Sequence, residues 1–133
     1  MSKTTDTLTI SEKDFSRQVE DLLKTFHWRW CHFRPARTER GWRTALSGHQ
    51  GFPDYIATKG NRLLFAELKS EKGKLSPEQE LWIDSLRECV RHITLEPVQV
   101  GKMTMPPHGK LVPSFEVYVW RPSDFDEIVE ILR

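Results

Sequence analysis

The chain has 133 residues, 38% hydrophobic and 29% charged, with a formal net charge of +1. That is the length of one domain with no room for a second core, and the composition is that of a folded globular protein rather than a disordered one. No apolar run approaches membrane-spanning length, MSKTTDTLTI lacks a signal-peptide core, and Cys31 and Cys89 fall outside any C-x-x-C spacing. The expectation is a reduced, cytoplasmic protein with no membrane partner. The five histidines are scattered without zinc-ligand spacing.

Ser11-x-x-Asp14 has the form of a capping box and predicts a helix with Phe15, Val19, Leu22, Leu23 and Phe26 at helical spacing. At 100° per residue Glu12 projects within roughly 40° of the centre of that stripe, on the buried side, where a carboxylate wants a partner; it also suits the helix N-terminus electrostatically. Glu20 falls roughly 115° off centre and reads as solvated. Trp28–Phe33 reads as a first strand. His32 on it is either a strand residue with a satisfied ring or a group reaching toward phosphate. A loop over 34–43 follows, crowding Arg34, Arg37, Arg40 and Arg43 against Glu39 alone. Thr44, Ser47, His49 and Gln50 then make a polar approach to Gly51.

Gly60-Asn61 is a two-residue hairpin signal between the runs Asp54–Thr58 and Leu63–Lys69. With those two residues as the loop, Lys59 pairs with Arg62, and counting back pairs Asp54 with Glu67. Opposed residues on one face have Cβ atoms roughly 4.5–5.5 Å apart, and Lys69 lies on the same face about 7 Å further along. Leu64, Ala66 and Leu68 face the other way, while Leu63 and Phe65 share the acidic side. Apolar on both faces, the hairpin should be central and covered.

Ser76-Pro77-Glu78-Gln79 opens a second helix, with serine at the N-cap, proline at the first position and glutamine closing the box. Its packing face is Trp82, Ile83, Leu86, Cys89 and Val90. Prolines and glycines break 94–114 into loop or irregular hairpin, which has the look of an insertion. Phe115–Trp120 alternates as a strand, and Ser123-x-x-Asp126 predicts the cap of a last helix running to Leu132. Acid collects there in Asp124, Asp126, Glu127 and Glu130, while Lys69, Lys72 and Lys74 follow the hairpin. One basic face and an acidic far side fit a nucleic-acid partner despite the near-zero net charge; a merely solvated arginine loop is the alternative. The order α-β-β-β-α-β-α predicts an α/β fold, a mixed sheet flanked by helices, in one domain over 1–133.

Two carboxylates at hairpin spacing repel unless one is protonated or a cation lies between them. Few, hard oxygen ligands suit Mg²⁺, with Mn²⁺ as a substitute, and an adjacent lysine can hold phosphate or water. That is the outline of metal-assisted phosphodiester hydrolysis.

Pro53-Asp54 followed by Glu67-Leu68-Lys69 resembles the PD-(D/E)XK nuclease signature, and GFPD…FAELKSEKGKLSPEQELW resembles its VRR-NUC branch through Gly73, Ser76, Gln79 and Trp82. The likeness runs from Ser11-Glu12 to VYVWRPSDFDEI. It implies a restriction-endonuclease-like core and a Mg²⁺-dependent DNA endonuclease with no organic cofactor. Asp54, Glu67 and the Leu68 carbonyl would bind the metal, and Lys69 would position or activate the nucleophilic water. Glu12 would bind a second metal or hold one of its waters, and Gln79 would stand at the site's rim. Arg34, Arg37, Arg40, Arg43, Lys72 and Lys74 would meet DNA. Relatives associated with branched DNA make a junction or flap substrate and a homodimer the further expectations. The competing readings are a DNA-binding module of the same fold without turnover, and a structural Glu67–Lys69 pair.

Overall fold

The computed structural model describes residues 10–34, 36–43, 46–91, 98–105 and 114–133, with backbone alone at 36–38, 42–43, 91, 98–100 and 103–105. In chain order the elements are α1 (Glu12–Thr25), β1 (Arg29–His32), β2 (Ala36–Thr38), β3 (Gly41–Arg43), β4 (Tyr55–Lys59) and β5 (Arg62–Leu68). They continue with α2 (Pro77–Arg91), β6 (Val98–Val100), β7 (Met103–Met105), β8 (Ser114–Trp120) and α3 (Phe125–Leu132), the last preceded by a 3₁₀ turn at Pro122–Asp124.

Local chemistry explains where the helices begin and end. Ser11 caps α1 by accepting the Asp14 N–H at 3.1 Å. Its C-terminus closes through Trp28 N–H to Leu23 C=O at 2.9 Å and His27 N–H to Lys24 C=O at 3.1 Å, with His27 at φ 61°. This is a Schellman closure with histidine in the left-handed position that glycine usually fills. In α2 the Ser76 hydroxyl accepts the Gln79 N–H at 3.2 Å and the Gln79 side chain accepts the Ser76 N–H at 2.9 Å, the reciprocal box expected from the residues.

Four strands form the central sheet in the order β1-β4-β5-β8, with β5 and β8 parallel and the other pairs antiparallel. The β4–β5 hairpin holds the register the turn implies: Lys59 opposes Arg62 and Tyr55 opposes Ala66. Gly60 has φ 59° and Asn61 is not at positive φ, the pattern of a II′ turn with glycine first. One face of the sheet, carrying Tyr55, Ala57, Leu64, Ala66 and Leu68, packs on Phe15, Val19 and Leu23 of α1 and Ile128 and Leu132 of α3. Burying each of these large apolar side chains stabilises the fold by about 1.5–3 kcal/mol. The opposite face carries Phe65, whose ring meets Phe52 and Phe115 edge-on, and Phe52 in turn meets Trp82 of α2. The hairpin is thus central and covered on both sides.

Several expectations need correction. The arginine-rich segment is not a plain loop: Ala36–Thr38 pairs with Gly41–Arg43 as a short hairpin. Within 94–114 the hairpin alternative holds, since Val98–Val100 pairs with Met103–Met105, while 94–97 and 106–113 lie outside the described residues. Ser123 does not cap α3. Pro122 opens a 3₁₀ turn in which the Asp124 carboxylate accepts the Arg121 N–H at 2.8 Å, while the Ser123 N–H goes to Glu71 Oε1. Cys89 and Val90 are exposed rather than packed, and both cysteines are free thiols. Among the described residues no helix is long and apolar enough to cross a membrane.

Candidate active site

The β4–β5 register continues one step past its last ladder pair and sets Asp54 beside Glu67. The Asp54 N–H donates to Glu67 Oε2 at 3.2 Å, and Asp54 Oδ2 accepts the Leu68 N–H at 2.9 Å. Each carboxylate is therefore tied to the other strand's backbone at this end of the hairpin. Lys69 continues the strand, its N–H bonded to the Trp120 carbonyl at 2.9 Å, and its ammonium lies 3.7 Å from Glu67 Oε1. The two acids and the amine converge as the turn geometry requires.

Gln79 reaches the same carboxylate. Its Nε2 donates to Glu67 Oε1 at 2.8 Å while its Oε1 serves the capping box. The helix cap and the site contact, which the sequence leaves as alternatives, are two ends of one amide. The approach of α2 is set by Gly51 (φ 91°): a Cβ there would stand 2.6 Å from the Glu78 carbonyl carbon and 2.7 Å from the Gln79 nitrogen. Only glycine lets the loop before Pro53 pass so close under the first turn of α2.

Glu67 is 2% exposed. Burial, and secondarily the negative charge of Asp54, push its carboxyl up to about 8, against the opposing influence of Lys69. Burial also raises Asp54, partly offset by the Leu68 N–H and the nearby His32 and Lys69. One buried and one half-buried acid with a single amine beside them are short of positive charge.

The remaining expected site residues are placed less uniformly. Glu12 is exposed, not on a buried face, because the apolar stripe of α1 meets solvent before Phe15. It is still close enough to Glu67 to raise that carboxyl. Lys72 and Lys74 are exposed on the β5–α2 loop, and Arg40 is exposed in the β2–β3 turn. Arg37 and Arg43 belong to β2 and β3, but their side chains lie outside the described residues, as does Thr44. Ser47, His49 and Gln50 are exposed, and His49 C=O accepts the Trp82 indole N–H at 3.2 Å. Among the described residues no group of three or more His, Cys, Asp or Glu side chains is arranged to hold a metal. The carboxylate ligands on offer are Asp54 and Glu67.

Glu20, expected to be solvated, is 7% exposed. Its Oε1 lies 3.2 Å from His32 Nδ1 and 3.2 Å from Arg34 Nη2. The wheel around α1 alone could not show this, because the partners come from β1 and the residues just after it. The available signal was the i, i+2 spacing of Trp30, His32 and Arg34, which turns all three toward one side of the strand.

No curated protein and no solved structure matches the chain. A family model, the VRR-NUC domain, matches residues 12–101. That span takes in α1 with Glu12, the Asp54–Glu67–Lys69 cluster at the end of the β4–β5 hairpin and Gln79 of α2. The chain therefore belongs to the VRR-NUC domain family, a PD-(D/E)XK-type fold of nuclease-type, DNA-processing function.

Proposed function

We propose that the protein is a divalent-metal-dependent DNA endonuclease whose site is built on Asp54, Glu67 and Lys69. The observation that carries this reading is the meeting of two carboxylates and an ammonium at one end of a buried hairpin, with a deficit of positive charge. The donor set fits Mg²⁺: two carboxylates are what this ion commonly takes from protein, the rest of its shell being water and substrate phosphate. Asp54 and Glu67, with the Leu68 carbonyl, would hold it, and Glu12 would stand at the outer margin. A bound ion of this kind supplies Lewis acidity toward a phosphate oxygen and makes water a better nucleophile.

The chain's own residues do the rest. Gln79 holds Glu67 Oε1 from one side and the Asp54 N–H holds Oε2 from the other, so the carboxylate plane is preset before substrate arrives. Lys69, half-buried against Glu67, orients the attacking water and steadies charge developing on the scissile phosphate. The exposed Lys72 and Lys74 and the arginines of the 34–43 segment supply the phosphate contacts that bring DNA to this end of the sheet. Branched DNA is the preferred substrate in this reading, with a homodimer matching the symmetry of a four-way junction.

A cleavage panel of single-stranded, duplex, flap and junction DNA with Mg²⁺ or Mn²⁺ tests the proposal. Wild type should cut at least one form, a branched one best. Asp54→Ala and Lys69→Ala should lose cleavage while remaining folded. Absence of cutting on every form, or full activity in either variant, refutes the enzyme. DNA binding without metal-dependent nicking would favour a binding module instead.

A further inference from the structure

Glu20, His32 and Arg34 form a second polar cluster, of which the proposed function uses only Arg34, as one of several phosphate contacts. We infer that it is a subsite for a DNA backbone phosphate beside the carboxylate pair, with Arg34 making the contact and Glu20 and His32 positioning it. The inference rests on the nuclease reading above.

A carboxylate buried as deeply as Glu20 needs cationic or hydrogen-bonding partners. Arg34 Nη2 donates to its Oε1 at 3.2 Å and Arg34 Nε donates to His32 Nδ1 at 3.3 Å, that ring nitrogen itself lying 3.2 Å from the same Oε1. His32 is itself immobilised, its ring stacked on Tyr55 with centroids 4.1 Å apart and planes at 22°. Arg34, by contrast, has a side chain that is 67% exposed. The guanidinium is thus gripped along its Nε–Nη2 edge by fixed groups from inside, while its other edge faces solvent. That outward edge presents two parallel N–H vectors, the geometry that matches two oxygens of a phosphate. As an ion pair alone the arrangement is worth little, because a guanidinium so exposed is strongly screened. What it provides is a fixed direction.

The location fits the same role. The Phe33 N–H donates to the Asp54 carbonyl at 2.9 Å, so β1 carries its pairing on until Phe33 stands opposite Asp54. Arg34 is the next residue along, roughly 3.3 Å further. Arg34 reaches Glu20 of α1, on the face of the sheet opposite Lys69, so a strand with one phosphate at Lys69 would meet the subsite where it crosses this end of the sheet.

The test is duplex and junction DNA binding by fluorescence anisotropy in Ca²⁺, from about 50 to 200 mM salt. Arg34→Ala, at an exposed position, should fold normally, weaken binding about threefold or more, and make the log–log salt slope shallower by about 0.9. Glu20→Gln should also weaken binding, although removal of a negative charge by itself would strengthen it. It should have no further effect in the Arg34→Ala background. An unchanged slope in Arg34→Ala, or tighter binding by Glu20→Gln, overturns the subsite. If wild type cleaves and binds DNA while these variants behave like it, only the subsite falls. If wild type shows no salt-dependent binding, the nuclease reading falls with it.

Discussion

Glu67→Gln isolates the electrostatic cost of the site. In the metal-free protein Glu67 is held up to about 8, against an ordinary value of 4.5. Below pH 4.5 it is protonated in both folded and unfolded chains and contributes no pH dependence. Between 4.5 and about 8 the unfolded chain has released this proton while the folded protein retains it. The folded state then binds more protons, so stability falls as pH rises through that window and levels off above it. At about 1.36 kcal/mol per pH unit the upper bound is about 5 kcal/mol. Asp54 can take up the shared proton in place of Glu67, so we expect about 2–3 kcal/mol to be measured. Glutamine cannot ionise and still accepts the Gln79 amide through its oxygen, losing the Asp54 N–H bond at a cost that does not vary with pH. Urea unfolding in EDTA from pH 5 to 9 should therefore show wild type losing stability relative to Glu67→Gln as pH rises. A pH-independent difference, or wild type gaining on the variant, refutes the reasoning.

Two further substitutions probe the frame around the site. Gly51→Ala places a Cβ against the backbone of Glu78 and Gln79 at a positive φ, so it should cost about 1–3 kcal/mol. By shifting the start of α2 it should also break the Gln79–Glu67 contact and cut cleavage at least tenfold; unchanged melting and turnover would contradict the close approach. Arg62→Ala removes the pair of bonds to Glu116 at 2.6 and 2.8 Å, the bond to the Ile131 carbonyl and the stacking over Trp28. The pair is only partly exposed, so thermal or urea unfolding should show a loss of about 2–3 kcal/mol. Arg62 is five residues from Glu67 along β5, roughly 17 Å, so folded molecules should cleave at the wild-type rate.

The features legible in the sequence were those determined within a few residues. A Gly60-Asn61 turn admits one register, and that register brings Asp54, Glu67 and Lys69 together with no distant contact required. The Ser11 and Ser76 caps are equally local. What escaped depended on another element. Glu20 looks solvated on its own helix and becomes buried only when His32 of β1 and Arg34, just beyond that strand, close over it. Glu12 sits on the side of the apolar stripe of α1, yet it is exposed, and the buried stretch of that stripe begins at Phe15. Ser123 had a capping spacing, but Pro122 and the Asp124 carboxylate built a 3₁₀ turn in its place. Gln79 was half visible: its cap is a matter of spacing, whereas its hold on Glu67 needs α2 to rest on the sheet. The short β2–β3 pairing, crowded with arginine, carried no apolar alternation to reveal it.

The central claim is that the paired acids of the hairpin hold a divalent ion. Calorimetric titration of Mn²⁺ at pH 7, in two buffers of different ionisation enthalpy, tests it most directly. Wild type should bind the ion and release up to one proton as the protonated carboxyl of the pair is displaced, and Asp54→Asn should bind at least tenfold more weakly. No binding by wild type, or equal binding by Asp54→Asn, would contradict the account.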